Sequence, residues 1–330
     1  MNTKQRVLSA LNHEEPDRVP IWTMIDSSEV LRKYADAATA GADAAADQTT
    51  NDGTGFDFGA LVHGDRCREP LLQLIKRAAV ALGIDVIFNG CGNPFNPFPR
   101  EIEEFKSDSK WETEYKSLAD VKAFTPEIPN YDDVAKTYVP LMREITDRLA
   151  PDVMAVDQQG TCLELAWSVL GLQTFSTAVY DAPKEVARIL DAATECCRIH
   201  AQVYADHHLS FAYQVSGDIA YKGGTMFSPD FLNREYVPRL ARQLEPLKEA
   251  GIKVVYHSDG DVTGIIDGLI EAGVDALNPI ETTAGMDLAA IKKRYGRNLV
   301  LVGNVDANLM TIGTPQEVEE DVKRCIRDAA

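Results

Sequence analysis

The sequence predicts an α/β protein built as a (β/α)8 TIM-type barrel, with the eighth strand missing at the C-terminus. Three observations carry that expectation. Seven short apolar runs, beginning at Val19, Ile84, Asp152, Leu209, Lys253, Asp275 and Leu299, read as strands, with helix-patterned stretches in almost every gap. The last three runs end in acidic or imidazole groups, at His257-Ser258-Asp259-Gly260-Asp261, Asn278-Pro279-Ile280-Glu281 and Gly303-Asn304-Val305-Asp306. Buried parallel strands look like this when their C-terminal ends form a reactive mouth. The rival architecture, a doubly wound open sheet, usually places a glycine-rich phosphate turn after its first strand, and Val19 to Glu29 contains none.

The elements follow in order. Thr3 to Asn12 places Val7, Leu8 and Leu11 at helical spacing, and Glu14-Glu15-Pro16-Asp17-Arg18 breaks the pattern before a strand at Val19 to Ile25. The stretch from Ala35 to Gly55 is rich in Ala, Asp, Thr and Gly and reads as a loop or insertion. A helix over Leu71 to Leu82 precedes a buried strand at Ile84 to Phe88, a loop over Gly90 to Phe98 and a small hairpin over Lys106 to Tyr115. Tyr131 to Leu149 is an amphipathic helix, and Asp152 to Asp157 a third strand. Helices at Leu163 to Leu170 and Pro183 to Ala205 lead to a strand at His208 to Ser216. Ser228-Pro229-Asp230 supplies an N-cap and first turn for a helix reaching Ala250. After the strand from Lys253, helices at Val262 to Ala272 and Asp287 to Tyr295 alternate with the last two strands. A final helix, Pro315 to Arg327, opens on a capping box of Thr314 and Glu317. The whole reads as one domain, 1–330, with an N-terminal helical extension over residues 1–15 and a weakly ordered insertion over about 35–60.

Composition narrows the function classes. A formal charge of -18 disfavours nucleic-acid and anionic-membrane partners, because phosphate binding needs a concentrated basic face. No apolar run approaches the roughly 20 residues of a membrane span, and Met1 to Glu15 is polar and amphipathic, so a cytoplasmic address is expected. Six cysteines occur without any CxxC pair, which suggests buried thiols in place of a disulfide framework or zinc ribbon. A barrel lacking a strand exposes sheet edges, and a homodimer is the expected assembly.

The chain resembles the uroporphyrinogen decarboxylase superfamily, which includes the decarboxylase and zinc-dependent corrinoid methyltransferases. The resemblance rests on Pro16-Asp17-Arg18-Val19-Pro20, Gly217-Asp218-Ile219-Ala220 with Ser228-Pro229, and His257-Ser258-Asp259-Gly260. It continues through Gly273-Val274-Asp275, Asn278-Pro279-Ile280-Glu281, Tyr295-Gly296, Gly303-Asn304-Val305-Asp306 and Gly313-Thr314-Pro315. It implies a barrel with its site at the C-terminal mouth, and a glycine-rich eighth strand following the last helix. The decarboxylase branch binds a macrocycle of eight carboxylates and carries an Arg-Gln-Ala-Gly-Arg stretch after its first strand. Here that position reads Thr23-Met24-Ile25-Asp26-Ser27-Ser28, so a uroporphyrinogen carboxy-lyase is the second choice.

The methyltransferase branch implies a His-x-Cys-Gly zinc motif with a further late cysteine. His257 matches the histidine, and Asp259 stands in the cysteine's place. Residues i and i+2 of a strand project to the same side, and imidazole and carboxylate both ligate zinc at roughly 2.0 to 2.2 Å. Glu281 is the expected third ligand, with Asp218 the alternative. The resemblance implies Lewis-acid methyl transfer between a small methylated ether, alcohol or amine, a corrinoid or methylcobalamin on a partner protein, and a thiol. Asp218, Asp306 and Asp157 are candidate catalytic groups, and Trp22, Phe88 and Phe95 candidate pocket walls. Each has a plainer reading: Asp261 and Asp306 as helix caps, Glu281 as a loop anchor, Asp157 as a buried ion-pair partner and Cys91 as a small buried thiol. His207 and His208 point oppositely if both lie on a strand and then share no ligand role. A non-catalytic barrel used for binding is the remaining alternative.

Overall fold

A computed structural model describes residues 1–25, 28–35, 68–89 and 117–329. The insertion over 36–60, the loop over Gly90 to Phe98 with Phe95 and Cys91, and the hairpin over Lys106 to Tyr115 lie outside the described residues. Nine strands occur among the described residues: β1 Trp22–Thr23, β2 Val86–Asn89, β3 Met154–Gly160, β4 Ala212–Ser216, β5 Ala220–Tyr221, β6 Gly224–Thr225, β7 Lys253–His257, β8 Ala276–Asn278 and β9 Val300–Leu301. Seven of them form one sheet in the order β1-β2-β3-β4-β7-β8-β9, sequential apart from the β5-β6 hairpin. Strands in sequential order with helical crossovers make the fold an incomplete (β/α)8 barrel. The chain separates into two compact units.

The first unit comprises Met1–Asn93, Lys136–Gln159 and His207–Gln214. Here β1, β2 and β3 pair in parallel, with Trp22 opposite Val86 and Ile87 opposite Ala155. The helix Tyr131–Leu149 forms because Val134, Tyr138, Met142, Ile145 and Leu149 recur at helical spacing, and all five are buried. Burying each such side chain contributes about 1.5–3 kcal/mol. At the unit's other end the acid-rich breaker becomes an anchor. The buried Asp85 carboxylate accepts from Arg6 Nη1 at 2.8 Å, Arg18 Nη1 at 2.7 Å and the Ile21 amide at 2.9 Å. Arg6 also grips Asp17, which holds that carboxyl well below the usual carboxylate range.

The second unit comprises Pro94–Ala135, Gly160–Asp206 and Val215–Ala330. Its sheet runs β7-β8-β9 in parallel, with Val255 opposite Ala276 and Ala276 opposite Val300. Val254, Val255 and Tyr256 are all buried, as expected of a strand covered on both faces. Thr314 and Glu317 cap the last helix, Pro315–Ala329, reciprocally. Ser228 caps its helix through the Phe231 amide, and that helix passes through a π-turn at Leu232–Tyr236 just ahead of Pro238. Pro238 has no N–H for the preceding turn, and the wider turn accommodates it.

Several boundaries depart from expectation. The strand expected from Val19 shortens to Trp22–Thr23, and the one expected from His208 begins at Ala212. The helix Pro183–Asp206 ends just before His207, and His208 adopts a positive φ of 47°, so these two residues form a turn. The helix expected at Val262 starts with a 3-10 turn at Thr263–Ile265, because Asp261 accepts from the Thr263 amide at 2.9 Å. A helix at Ala307–Ile312 and the β5-β6 hairpin were not expected. The hairpin turns at Lys222-Gly223, with Tyr221 opposite Gly224.

Candidate metal centre

The site grows from the ends of β4, β7 and β8. Tyr256 and His257 alternate across β7, so the buried tyrosine faces a hydroxyl cluster and the half-buried imidazole faces the other side. Tyr256 donates its hydroxyl to the Gly217 carbonyl at 3.3 Å and lies 2.8 Å from the Tyr236 hydroxyl. Gly217 in turn donates its amide to the His257 carbonyl at 2.9 Å. A Cβ at Gly217 would stand 3.0 Å from the Tyr256 hydroxyl and from Thr161 Oγ1, so glycine is what lets the chain after β4 lie this close. Asp218 therefore leaves β4 beside His257.

Asp218 Oδ1 accepts from the Asp259 amide at 3.2 Å. His257 Nε2 is 3.7 Å from Asp218 Oδ1 and 3.9 Å from Asp259 Oδ1. One ligand atom from each of these three residues lies within 4.8 Å of the others. The tautomer follows from the neighbours. Asn278 donates Nδ2 to the Val302 carbonyl at 3.2 Å, which turns its Oδ1 toward His257 Nδ1 at 2.6 Å. An amide oxygen only accepts, so Nδ1 carries a proton and Nε2 is the nitrogen that faces the carboxylates. Metal-ligating histidines are oriented in this way by their outer partners.

Among the described residues no lysine or arginine pairs with Asp218 or Asp259. Loss of hydration raises Asp259 above the usual carboxylate range; the His257 imidazole opposes this and the carboxylates of Asp218 and Glu281 add to it. Two carboxylates and an imidazole nitrogen that converge with no lysine or arginine between them among the described residues fit a divalent ion, which Asp218, His257 and Asp259 would hold.

Glu281, the ligand expected from the sequence, has a different engagement. Its Oε2 accepts from the Gly260 amide at 2.7 Å and its Oε1 from the Thr283 hydroxyl, and the Thr283 bond in particular holds its carboxyl below the usual range. It clamps the turn that follows His257 and Asp259. That turn is also covered by the hairpin: Gly260 has φ +84°, and a Cβ there would lie 2.3 Å from the Ala220 carbonyl carbon. Asp261 completes the seam by donating its amide to the Tyr221 carbonyl at 3.0 Å.

The other sequence candidates have engagements of their own. Asp306 accepts from the Asn308 amide at 2.7 Å and caps the helix Ala307–Ile312, in agreement with its plainer reading. Asp157 is fully buried and accepts from the Tyr138 hydroxyl and from Gln159 Nε2, so it faces the helix Tyr131–Leu149 and serves as a core acceptor. Trp22 and Phe88 lie on β1 and β2 of the first unit, and Trp22 donates Nε1 to Gln214 Oε1 at 2.8 Å. Phe95 lies outside the described residues. Cys162, Cys196, Cys197 and Cys325 are buried free thiols, as expected. Asn278 and Gly217 stand in the motifs Asn278-Pro279-Ile280-Glu281 and Gly217-Asp218-Ile219-Ala220, but the sequence alone assigned neither a role at the site.

A parallel β/α barrel with acidic and imidazole groups gathered at strand ends is the architecture of a (β/α)8 enzyme class. Within that class the chain belongs to the uroporphyrinogen decarboxylase family, whose family model, described as uroporphyrinogen decarboxylase (URO-D), matches residues 79–330. No curated protein matches. Among solved structures, a methyltransferase from Methanosarcina mazei superposes with a TM-score of 0.68 at 18% identity, covering 99% of this chain and 90% of that one. That likeness is one of fold. No described helix is long and apolar enough to cross a membrane.

Proposed function

We propose that the chain is a metal-dependent methyltransferase, moving a methyl group from a small methylated donor to a corrinoid carried on a partner protein. The convergence of Asp218, His257 and Asp259 carries this reading. A divalent ion such as zinc, held there, would supply Lewis-acid polarisation of the heteroatom that bears the methyl group. The chain's own residues do the rest. Asn278 holds the imidazole so that Nε2 faces inward, the Asp259 amide orients the Asp218 carboxylate, and Glu281 fixes the turn at Gly260. In the transfer the carbon–heteroatom bond breaks with its electron pair left on the heteroatom. The cobalt–carbon bond forms with the electron pair of cob(I)alamin.

The test is spectrophotometric: metal-loaded protein is mixed with methylated phenols, alcohols and amines and with cob(I)alamin, and methylcobalamin formation is followed. Turnover that disappears in His257→Ala is the expected result, and a protein that binds metal yet transfers no methyl group contradicts the proposal. The family's own description favours a second reading, a porphyrinogen carboxy-lyase. That activity needs cationic partners for a polycarboxylate. Release of carbon dioxide from uroporphyrinogen in the same preparation would favour it over methyl transfer.

A further inference from the structure

We propose that the ligand taken at the open position of the Asp218, His257 and Asp259 centre is a neutral oxygen donor, an ether or alcohol, and not a thiol. The inference rests on the metal-dependent reading and narrows it to one substrate class.

The donor set decides the class. One imidazole nitrogen and two carboxylate oxygens are hard to intermediate ligands, and such sets favour oxygen-loving ions and leave the ion seeking a further hard donor. Among the described residues no thiolate joins the centre. Cys196 and Cys197 direct their thiols to the carbonyls of Glu127 and Gly160, at 3.7 and 3.6 Å, and Cys325 directs its thiol to Asn304 Oδ1 at 3.5 Å. Cys162 is fully enclosed in the helix Cys162–Leu170. Among the described residues, these are all the cysteines.

Charge decides between neutral and anionic ligands. Two carboxylates neutralise a divalent ion, and a third anion, thiolate or carboxylate, would leave the centre negative. Glu281 adds further negative field at the same turn, with its Oε2 on the Gly260 amide next to Asp259. An ether or alcohol oxygen keeps the centre neutral. Aliphatic amines are protonated at neutral pH and offer no lone pair.

Cobalt(II)-loaded protein tests the inference without turnover. Titrated with 2-methoxyphenol, the wild-type protein is expected to show a saturable change in its visible cobalt bands. Titrated with 2-mercaptoethanol, it is expected to show no sulfur-to-cobalt charge-transfer band in the near ultraviolet. Asp259→Cys should acquire that band from its own side chain and shift its preference toward cadmium over manganese by at least about tenfold, roughly 1.4 kcal/mol. A sulfur-to-cobalt band in the wild-type protein, at thiol concentrations below those of 2-methoxyphenol needed for saturation, would overturn the oxygen assignment and leave the metal reading intact. A wild-type protein that takes up no cobalt overturns both.

Discussion

With a carboxylate at position 259, the metal-free protein gathers Asp218 and Asp259 around a single imidazole, and Asp259 also feels the negative charge of Glu281. Asp259 holds its proton more tightly in the folded chain than in the unfolded one. The folded state therefore binds more protons in the carboxylate range, and stability falls as pH rises through it. Asp259→Asn removes this cost, so the metal-free variant should show a higher urea midpoint than the parent at pH 7. Below the ordinary carboxylate pKa both side chains are neutral and the difference should vanish. The same substitution should abolish the stabilisation that added metal gives the parent, because a ligand is gone. The His257 and Asp259 pair was legible from the motif His257-Ser258-Asp259-Gly260, although β7 ends at His257 and Asp259 lies in the turn beyond it. Which further carboxylate converges with them was not. Glu281 and Asp218 both sit at strand ends in the sequence, and only the hydrogen bond between the Gly217 amide and the His257 carbonyl shows that β4 delivers Asp218 to the imidazole.

At the scale of elements, the turn after β7 is shaped by what lies on it. Gly260 combines φ +84° with a backbone contact that leaves no room for a Cβ. Gly260→Ala should destabilise the protein by at least about 2 kcal/mol, measured by urea unfolding, through left-handed strain and displacement of the β5-β6 hairpin. Metal affinity should fall with it, since Gly260 donates to Glu281 and follows Asp259 directly. The long helices and β7 were read from their periodicity to within a residue or a few, as at Tyr131–Leu149 and Pro183–Asp206. The hairpin was not, because two-residue strands carry no alternation to read. The face that Asp157 takes was hidden for a related reason: it lies one residue from Gln158, and strand parity sends it to the helix side, where Tyr138 meets it. Parity is invisible until a partner shows which face is which.

For the whole molecule, the buried carboxylate that anchors the fold, Asp85, is not one of the more exposed carboxylates of the candidate site. Asp85 binds Arg6, Arg18 and the Ile21 amide, tying the first helix and the entry to β1 onto the chain before β2. Asp85→Ala leaves the partly buried Arg6 without this partner and should cost about 3 kcal/mol in urea unfolding, with m unchanged. The motif at Pro16 to Pro20 marked this region in the sequence, but its partner lay far along the chain. The seven strands and their order were legible because each parallel strand is a continuous apolar run between helical patterns, and the sheet is that of an incomplete (β/α)8 barrel. The central claim is that Asp218, His257 and Asp259 together hold one divalent ion. Calorimetric titration of metal-free protein with zinc tests it most directly. One site per chain is predicted, weakened by at least about tenfold in each of Asp218→Asn and His257→Ala, and less in Glu281→Gln. No binding by the parent, or a greater loss in Glu281→Gln than in Asp218→Asn, would contradict it.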